Sequence, residues 1–162
     1  QIQNFEYVAF IDGDNQHKAS YIPVLCKQLK ESNSNVVIGS RYLEKKKFNG
    51  ISRSISNFDR ILGNYIISKA LEKFLRLKIT DPTSGMRAYD RKAIYSLKDN
   101  SIETFDNLTF YCCVAKQGLL LSEYQVDMME REAGNSEFTL FKKLIYVPSL
   151  LFSIFYTLVN RR

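Results

Sequence analysis

Two aspartates follow directly after a run of strand-forming residues near the start of the chain. The stretch YVAFIDGDNQH, residues 7–17, places Asp12 and Asp14 where a hydrophobic strand is predicted to end. If the backbone stays extended, carboxylates two residues apart point the same way and can share one hard divalent cation. Mg²⁺ or Mn²⁺ held in this manner typically bridges the phosphates of a nucleotide substrate. The pair predicts a metal site, although D-x-D also occurs in polar loops and near N-caps.

One class of metal-dependent enzyme is disfavoured by the residues that follow. Haloacid-dehalogenase-type phosphatases also place D-x-D after a hydrophobic strand, with the first Asp as nucleophile and a Thr or Val after the second. Here Asn15 and Gln16 follow Asp14 instead.

The elements that must position these acids are predicted from hydrophobic periodicity. Strands at 6–11 and 35–40 flank a helix at 20–31, and this strand–helix–strand order is typical of a parallel sheet. The remaining pattern predicts a loop at 41–52, a helix at about 54–77, a turn at 80–85, a strand at 86–89, helices at 90–97 and 105–117, a strand at 119–126 and a charged loop at 127–138. On the long helix, one broad apolar face is predicted from Ile55, Phe58, Ile61, Leu62, Tyr65, Ile66, Ala70, Leu71 and Phe74.

The composition limits the class of protein and of partner. With 162 residues, of which 45% are hydrophobic and 25% charged, the chain suits one globular domain and not a disordered one. The formal charge of +6 suits nucleic acid, anionic lipid or phosphorylated substrates, and its sign does not choose among them. Three cysteines without a C-x-x-C spacing disfavour a disulfide framework or a zinc site and favour a reducing compartment.

The last segment differs from the rest of the chain. Residues 144–159, LIYVPSLLFSIFYTLV, carry no charge and lie between Lys142–Lys143 and Arg161–Arg162. The run is shorter than the roughly 20 residues that a membrane span needs. A helix covering the domain is one interpretation. The flanking cations favour the other, a helix in the membrane interface or the start of a membrane segment.

Four stretches in order carry a resemblance to a known family. They are FIDGDNQH at 10–17, VVIGSRY at 36–42, TDPTSGMRAY at 80–89 and EYQVDMMEREAGNS at 123–136. Together they resemble the motifs of glycosyltransferase family 2, which has the GT-A fold, and in particular its dolichyl- and polyprenyl-phosphate sugar transferase branch. Two positions depart from the family pattern, which has proline where Gln125 stands and often lysine where Glu137 stands.

The resemblance implies a fold and a domain organisation. The fold would be α/β, a partial, Rossmann-like GT-A domain with a mostly parallel sheet flanked by helices and a C-terminal hydrophobic interfacial helix. Residues 1–138 would form the C-terminal part of the GT-A domain, without the half that binds the nucleotide base. Residues 139–162 would form an amphipathic juxtamembrane helix.

The resemblance also implies an activity. The expected reaction is metal-dependent, inverting transfer of a sugar from a nucleotide-sugar to polyprenyl phosphate or a glycan acceptor, at the cytoplasmic face of a membrane. Little turnover is expected from this chain alone. The alternative is a non-catalytic fragment, or a membrane-associated binding module that needs a partner to complete its sheet. Nucleic acid is not expected as a partner, and oligomerisation is left open.

On the donor side, the resemblance assigns the first and last motifs. Asp12, Asp14 and Gln16 would bind Mg²⁺ or Mn²⁺ and the donor diphosphate. Arg131 and Ser136 would also bind the diphosphate.

On the acceptor side, the resemblance assigns arginines and the central turn. Arg41 and a helix arginine, Arg60 with Arg53 as its rival, would bind the acceptor phosphate together with Ser84. A guanidinium group can pair with phosphate oxygens in a bidentate way. Asp81 would be catalytic, or would orient Arg87.

Overall fold

The computed structural model of the protein describes residues 5–44, 55–97 and 107–129. Each helix and strand predicted within these ranges is present, with bounds that differ by a few residues. In chain order they are β1 (Tyr7–Phe10), α1 (Tyr21–Glu31), β2 (Val36–Ser40), α2 (Ile55–Ala70), β3 (Arg87–Asp90), α3 (Arg91–Leu97), α4 (Asn107–Lys116) and β4 (Leu121–Gln125). A π-helical turn, Leu71–Leu75, extends α2, and Gly118, which has a positive φ, follows the end of α4.

The sheet is mixed and not mostly parallel. Its strand order is β1-β3-β2-β4, with β3 antiparallel to both of its neighbours and β2 parallel to β4. In the part of the sheet that the structure describes, two of the three pairings are therefore antiparallel, and the expected parallel sheet is wrong in this respect. The strand–helix–strand pattern correctly predicted that β1 and β2 run in the same direction, but β3 lies between them.

The direction of β3 follows from the turn that precedes it. After α2, the chain returns to the carboxyl end of β2 before it enters the sheet again as β3. There the hydroxyls of Ser40 and Thr80 are hydrogen-bonded at 2.6 Å. The amide of Gly39 donates to the carbonyl of Met86 at 2.9 Å. Because β3 begins at this end of β2, it can only run back along it.

Helices cover both faces of the sheet. Strand β2 is buried along its whole length, as its apolar sequence predicts. Alternate residues of β2 point to opposite sides. Val36 and Ile38 belong to a core with α2, α3 and α4, whereas Val37 belongs to a core with Leu25 and Leu29 of α1.

The long helix buries a different face from the one predicted. Toward the core it presents a polar residue and three apolar ones at helical spacing, namely Asn64, Ile67, Leu71 and Leu75. Of the seven predicted residues whose side chains the structure describes, four are exposed instead, since α2 is apolar on more than one side. We call these exposed residues the outer stripe of α2: Leu62, Tyr65, Ile66 and Phe74.

Two predictions about membrane contact and loops concern other parts of the chain. Within the ranges that the structure describes, no helix has both the length and the apolar character needed to cross a bilayer. The predicted C-terminal helix at 139–162 lies outside these ranges. So do most of the loops predicted at 41–52 and 127–138.

Candidate functional site

The sequence motifs meet at one edge of the sheet. Asp12 follows the carboxyl end of β1, and Arg41 follows the carboxyl end of β2. The turn from Asp81 to Gly85 lies at the same edge, since β3 starts there and runs antiparallel. Ligands of open α/β sheets usually bind beyond the carboxyl ends of the strands.

A buried ion pair joins the second motif to the third. The Arg41 guanidinium donates from Nε to Asp81 Oδ2 and from Nη2 to Asp81 Oδ1, both at 2.6 Å. The Arg41 amide donates to Asp81 Oδ2 at 3.0 Å, and Nη2 also donates to the Thr83 hydroxyl at 2.7 Å. Asp81 is fully buried and the Arg41 side chain is 13% exposed. The carboxylate therefore holds both the side chain and the backbone of Arg41.

The electrostatics of Arg41 reflect this pair. Burial by itself lowers the pKa of Arg41, but the hydrogen bonds and the charge of Asp81 outweigh it and raise that pKa above its ordinary value. The charge of Asp12 acts in the same direction. The negative charge of Asp12 therefore favours the charged form of Arg41.

A second carboxylate holds the turn in place from β4. Glu123 accepts hydrogen bonds from the Thr80 amide, the Thr80 hydroxyl and the Asp81 amide, at 2.8–3.0 Å. Burial raises the pKa of Glu123, and the hydrogen bonds from Thr80 and Asp81 oppose that rise. Our site prediction did not include Glu123, although it is the first residue of the fourth motif.

The absence of a side chain at Gly85 leaves room for the Asp12 carboxylate. A Cβ built on Gly85 would overlap the carboxylate of Asp12, so the acid lies directly against the glycine backbone. On its other side, Asp12 Oδ2 is 3.8 Å from Nε2 of His17. The Asp12 side chain is 57% exposed and therefore accessible to a ligand.

The backbone between Asp12 and Asp14 is not extended. The argument that an extended backbone makes the two carboxylates point the same way therefore does not apply. Residues 13–15 bend, and Asn15 has a left-handed φ of 60°. Asp14 Oδ1 accepts from the Gln16 amide at 3.1 Å, and the Gln16 carbonyl accepts from the Met129 amide at 2.9 Å. The segment is a turn that is attached to the chain beyond β4.

The oxygen atoms at this turn are of the type that hard divalent cations prefer as ligands. Asp12 and Asp14 supply carboxylate oxygens, which Mg²⁺ and Mn²⁺ prefer. Among the residues that the structure describes, no group of three His, Cys, Asp or Glu side chains could hold a metal ion. A cation held by the two acids would therefore need further oxygens, such as those of a substrate diphosphate.

His17 is buried beside the acids. It is 6% exposed, and its Nδ1 has no hydrogen-bond partner among the described residues. Burial lowers the pKa of His17, and the charge of Asp12 opposes this effect. His17 is the one histidine in the sequence.

Two other predicted site residues are engaged inside the fold. The Ser84 hydroxyl is buried; it donates to the Gly39 carbonyl at 2.6 Å and accepts from the Met86 amide at 3.2 Å. Both oxygens of Asp81 already accept hydrogen bonds from Arg41, which does not favour a role as a base. Asp81 orients Arg41, whereas Arg87 donates to the Ser84 carbonyl and lies over the Phe110 ring.

The remaining predicted residues have side chains outside the part of the chain that the structure describes. Arg60 lies on α2, but its side chain is outside the described part of the chain. Arg53, Arg131 and Ser136 also lie outside it.

Comparison with known proteins identifies a family for more than half of the chain. The family model described as glycosyl transferase family 2 matches residues 4–97. The match lies at the N-terminal end of the chain and not in its C-terminal portion, and it does not distinguish the polyprenyl-phosphate branch. An uncharacterized protein from Methanocaldococcus jannaschii is 42% identical over 57 residues, which are 35% of this chain and 24% of that protein. The matched part thus spans about a quarter of that relative's length.

The contact between Gly85 and Asp12 leads to a prediction. We expect Gly85→Ala to weaken Mn²⁺ binding at least about tenfold, because the new methyl group displaces the Asp12 carboxylate. Gly63→Ala is the matched control, since a Cβ there meets nothing within 4 Å. Calorimetric titration with Mn²⁺ in the presence of UDP or GDP measures both variants. Equal affinities for the two would contradict the placement of Asp12.

The burial of His17 leads to a second prediction. In metal-free protein, NMR titration of this single histidine should give a pKa below the ordinary value of 6.5. The unfolded chain then binds the proton more readily, so the free energy of unfolding rises with pH between the lowered pKa and about 6.5. The His17→Gln variant should lack this rise. A histidine pKa at or above 6.5 would contradict the prediction.

Proposed function

The chain belongs to glycosyltransferase family 2, and from that premise we propose that it transfers a sugar from a nucleotide-sugar donor to polyprenyl phosphate or a related glycan acceptor. One observation carries the proposal. Asp12, accessible and acidic, and Arg41, held by Asp81, lie at the same edge of the sheet. A cation-binding group for a diphosphate and a donor for an anionic acceptor are the two groups that this reaction needs.

The pairing with Asp81 restricts how Arg41 could bind a phosphate. Its Nε and Nη2 atoms already donate to Asp81 and Thr83. Nη1 has no hydrogen-bond partner among the described residues, and it is the group that we propose binds the acceptor phosphate. Nε and Nη2, the two atoms that pair with Asp81 in a bidentate way, are therefore not available for the same pairing with a phosphate. Arg60 would add a second donor on the acceptor side.

The proposed reaction requires little proton transfer. A phosphate acceptor is already anionic near neutral pH, so a base is not needed, which agrees with the occupied oxygens of Asp81. Asp12 and Asp14 would hold Mg²⁺ or Mn²⁺, which would neutralise charge on the departing diphosphate. The acceptor oxygen attacks the anomeric carbon, the bond from that carbon to the diphosphate oxygen breaks, and the configuration inverts. Gln16, Arg131 and Ser136 would contact the diphosphate.

The outer stripe of α2 supports a place at a membrane surface. Tyr65 is 58% exposed, and Leu62, Ile66 and Phe74 are also exposed. Cationic side chains lie among them, with Lys69 over the Tyr65 ring and Lys73 over the Phe74 ring. Exposed apolar and aromatic residues interleaved with lysine are typical of helices that lie on anionic bilayers. We propose that this stripe contacts the cytoplasmic face of a membrane, together with the C-terminal segment.

A binding module that needs a partner to complete its sheet is the second candidate. Within the described sheet, β1 is an edge strand, and β3 is its neighbour on one side. An open edge of this kind can pair with another strand. Metal-dependent turnover of a nucleotide-sugar distinguishes the enzyme from this alternative.

The proposed reaction is tested by turnover of the full-length gene product. UDP- and GDP-sugars are supplied with polyprenyl phosphate and Mn²⁺. We expect Asp12→Asn to lower turnover about 100-fold or more, because charge on the leaving diphosphate is no longer neutralised. Glu31→Gln, which changes an exposed acid at the end of α1, should leave turnover unchanged. Equal rates for the wild type and Asp12→Asn would contradict the proposed role of Asp12.

Membrane contact is tested separately by co-sedimentation with vesicles of phosphatidylcholine and phosphatidylglycerol. Replacing Leu62 and Tyr65 by serine should weaken binding at least about tenfold, because two apolar side chains no longer enter the interface. Replacing Tyr95 and Leu120 by serine is the matched control, since these residues are similarly exposed but lie on α3 and directly before β4. A similar loss in both double variants would contradict a specific role for the outer stripe.

A further inference from the structure

Two side chains of β4 reach the Arg41–Asp81 pair from the same face of the sheet. Glu123 and Gln125 are two residues apart on the strand, and they lie opposite Ile38 and Ser40 of β2. Glu123 holds the Asp81 side of the pair through the Thr80 and Asp81 amides. Gln125 contacts the backbone of the other partner, Arg41.

The Gln125 side chain connects β4 to the segment that begins with Arg41. Its Nε2 donates to the Arg41 carbonyl at 3.3 Å and to the Val126 carbonyl at 3.2 Å. Its Oε1 accepts from the Glu44 amide at 2.9 Å. One side chain therefore bridges the start and the end of the segment from Arg41 to Glu44.

These partners also define the orientation of the amide group. A flipped amide would place its NH₂ group against the Glu44 N–H and its oxygen against two carbonyl oxygens. Both arrangements are unfavourable, so the contacts agree with a single orientation. The bridge needs a side chain that donates and accepts at once, and an amide does both.

The residue type is a departure from the motif that this chain otherwise resembles. The family pattern has proline at this position, and proline has neither a side-chain donor nor an acceptor. A proline at 125 could not bind Arg41 and Glu44 in this way. The bridge is therefore a feature of this chain's own sequence.

We propose that Gln125 is a positioning residue that sets the affinity for the phosphate acceptor by holding the backbone from Arg41 to Glu44. The inference rests on the proposed function, since it assigns the acceptor phosphate to Arg41. Asp81 orients the Arg41 side chain, and Gln125 determines the path of the backbone that follows it. The donor side, at Asp12 and Asp14, is not in contact with Gln125 through any hydrogen bond among the described residues.

The test replaces Gln125 by methionine, which has a similar length and neither donates nor accepts strongly. Farnesyl phosphate serves as a short polyprenyl phosphate, and UDP or GDP with Mn²⁺ probes the donor side. In the full-length protein, Gln125→Met should weaken farnesyl phosphate binding about tenfold and leave nucleotide binding unchanged. Gln117→Met, which changes an exposed glutamine after α4, should alter neither.

Amide hydrogen exchange provides a readout that does not depend on ligand. In Gln125→Met the Glu44 amide should exchange about tenfold faster, since it loses its acceptor. The Thr80 amide, which Glu123 holds, should be unchanged. Faster exchange at Thr80 as well would indicate general loosening and would contradict the inference. Unchanged exchange at Glu44 would overturn the bridge itself.

The binding results separate failure of this inference from failure of the proposed function. If the wild type binds nucleotide and farnesyl phosphate but Gln125→Met binds both equally well, the positioning role is wrong and the glycosyl-transfer proposal stands. If the wild type binds nucleotide but not farnesyl phosphate, the assigned acceptor and the role of Gln125 are both wrong. If the wild type binds neither ligand, the proposed function fails and the acceptor role of Gln125 fails with it.

Discussion

The buried pair of Arg41 and Asp81 is the interaction on which the site depends. Removing two charges from water is costly, and the cost is offset only when the geometry is good and the remaining donors and acceptors are satisfied. Here the carboxylate receives the guanidinium in a bidentate way and the Arg41 amide as well. The pair also connects the end of β2 to the turn before β3, so the same contact that orients the arginine fixes where β3 begins. Losing one partner of such a buried pair typically costs about 3–5 kcal/mol.

The charges around this pair explain why the same edge suits both a cation and an anion. Asp81 neutralises Arg41 within the fold, while Glu123 binds backbone amides behind it. Asp12 lies on the accessible side, and its neighbour His17 has a lowered pKa, which leaves the imidazole neutral near pH 7. The histidine therefore does not compensate the charge of Asp12. Negative charge remains available there for a divalent cation, while Arg41 keeps its positive charge at any physiological pH.

Strand β4 and helix α2 illustrate what local patterns cannot reveal. The bounds of β4 were predicted within a few residues. Its sequence pattern did not show that Glu123 would bind the Thr80 and Asp81 amides, or that Gln125 would bind the backbone of Arg41 and Glu44. The apolar face predicted for α2 is not the one that packing buries. Among the described residues, the buried stripe of Asn64, Ile67, Leu71 and Leu75 shares only Leu71 with the prediction. That stripe contains Asn64, whose amide donates to the Thr80 carbonyl at 2.6 Å. A periodic pattern identifies a helix, and only packing decides which of two apolar sides meets the core.

The sequence by itself determined the elements and named some residues of the candidate site. Period-2 and helical patterns located each described strand and helix, and the four motifs named Asp12, Arg41 and Asp81 and indicated the family, because these signals depend on neighbouring residues. The tertiary structure decided the partners. It showed that β3 runs antiparallel between β1 and β2, that Asp81 binds Arg41, and that Gly85 lies against Asp12. Each of these contacts joins residues 40 or more positions apart, and the relative placement of such distant segments follows from the packing of the whole sheet and not from local propensity.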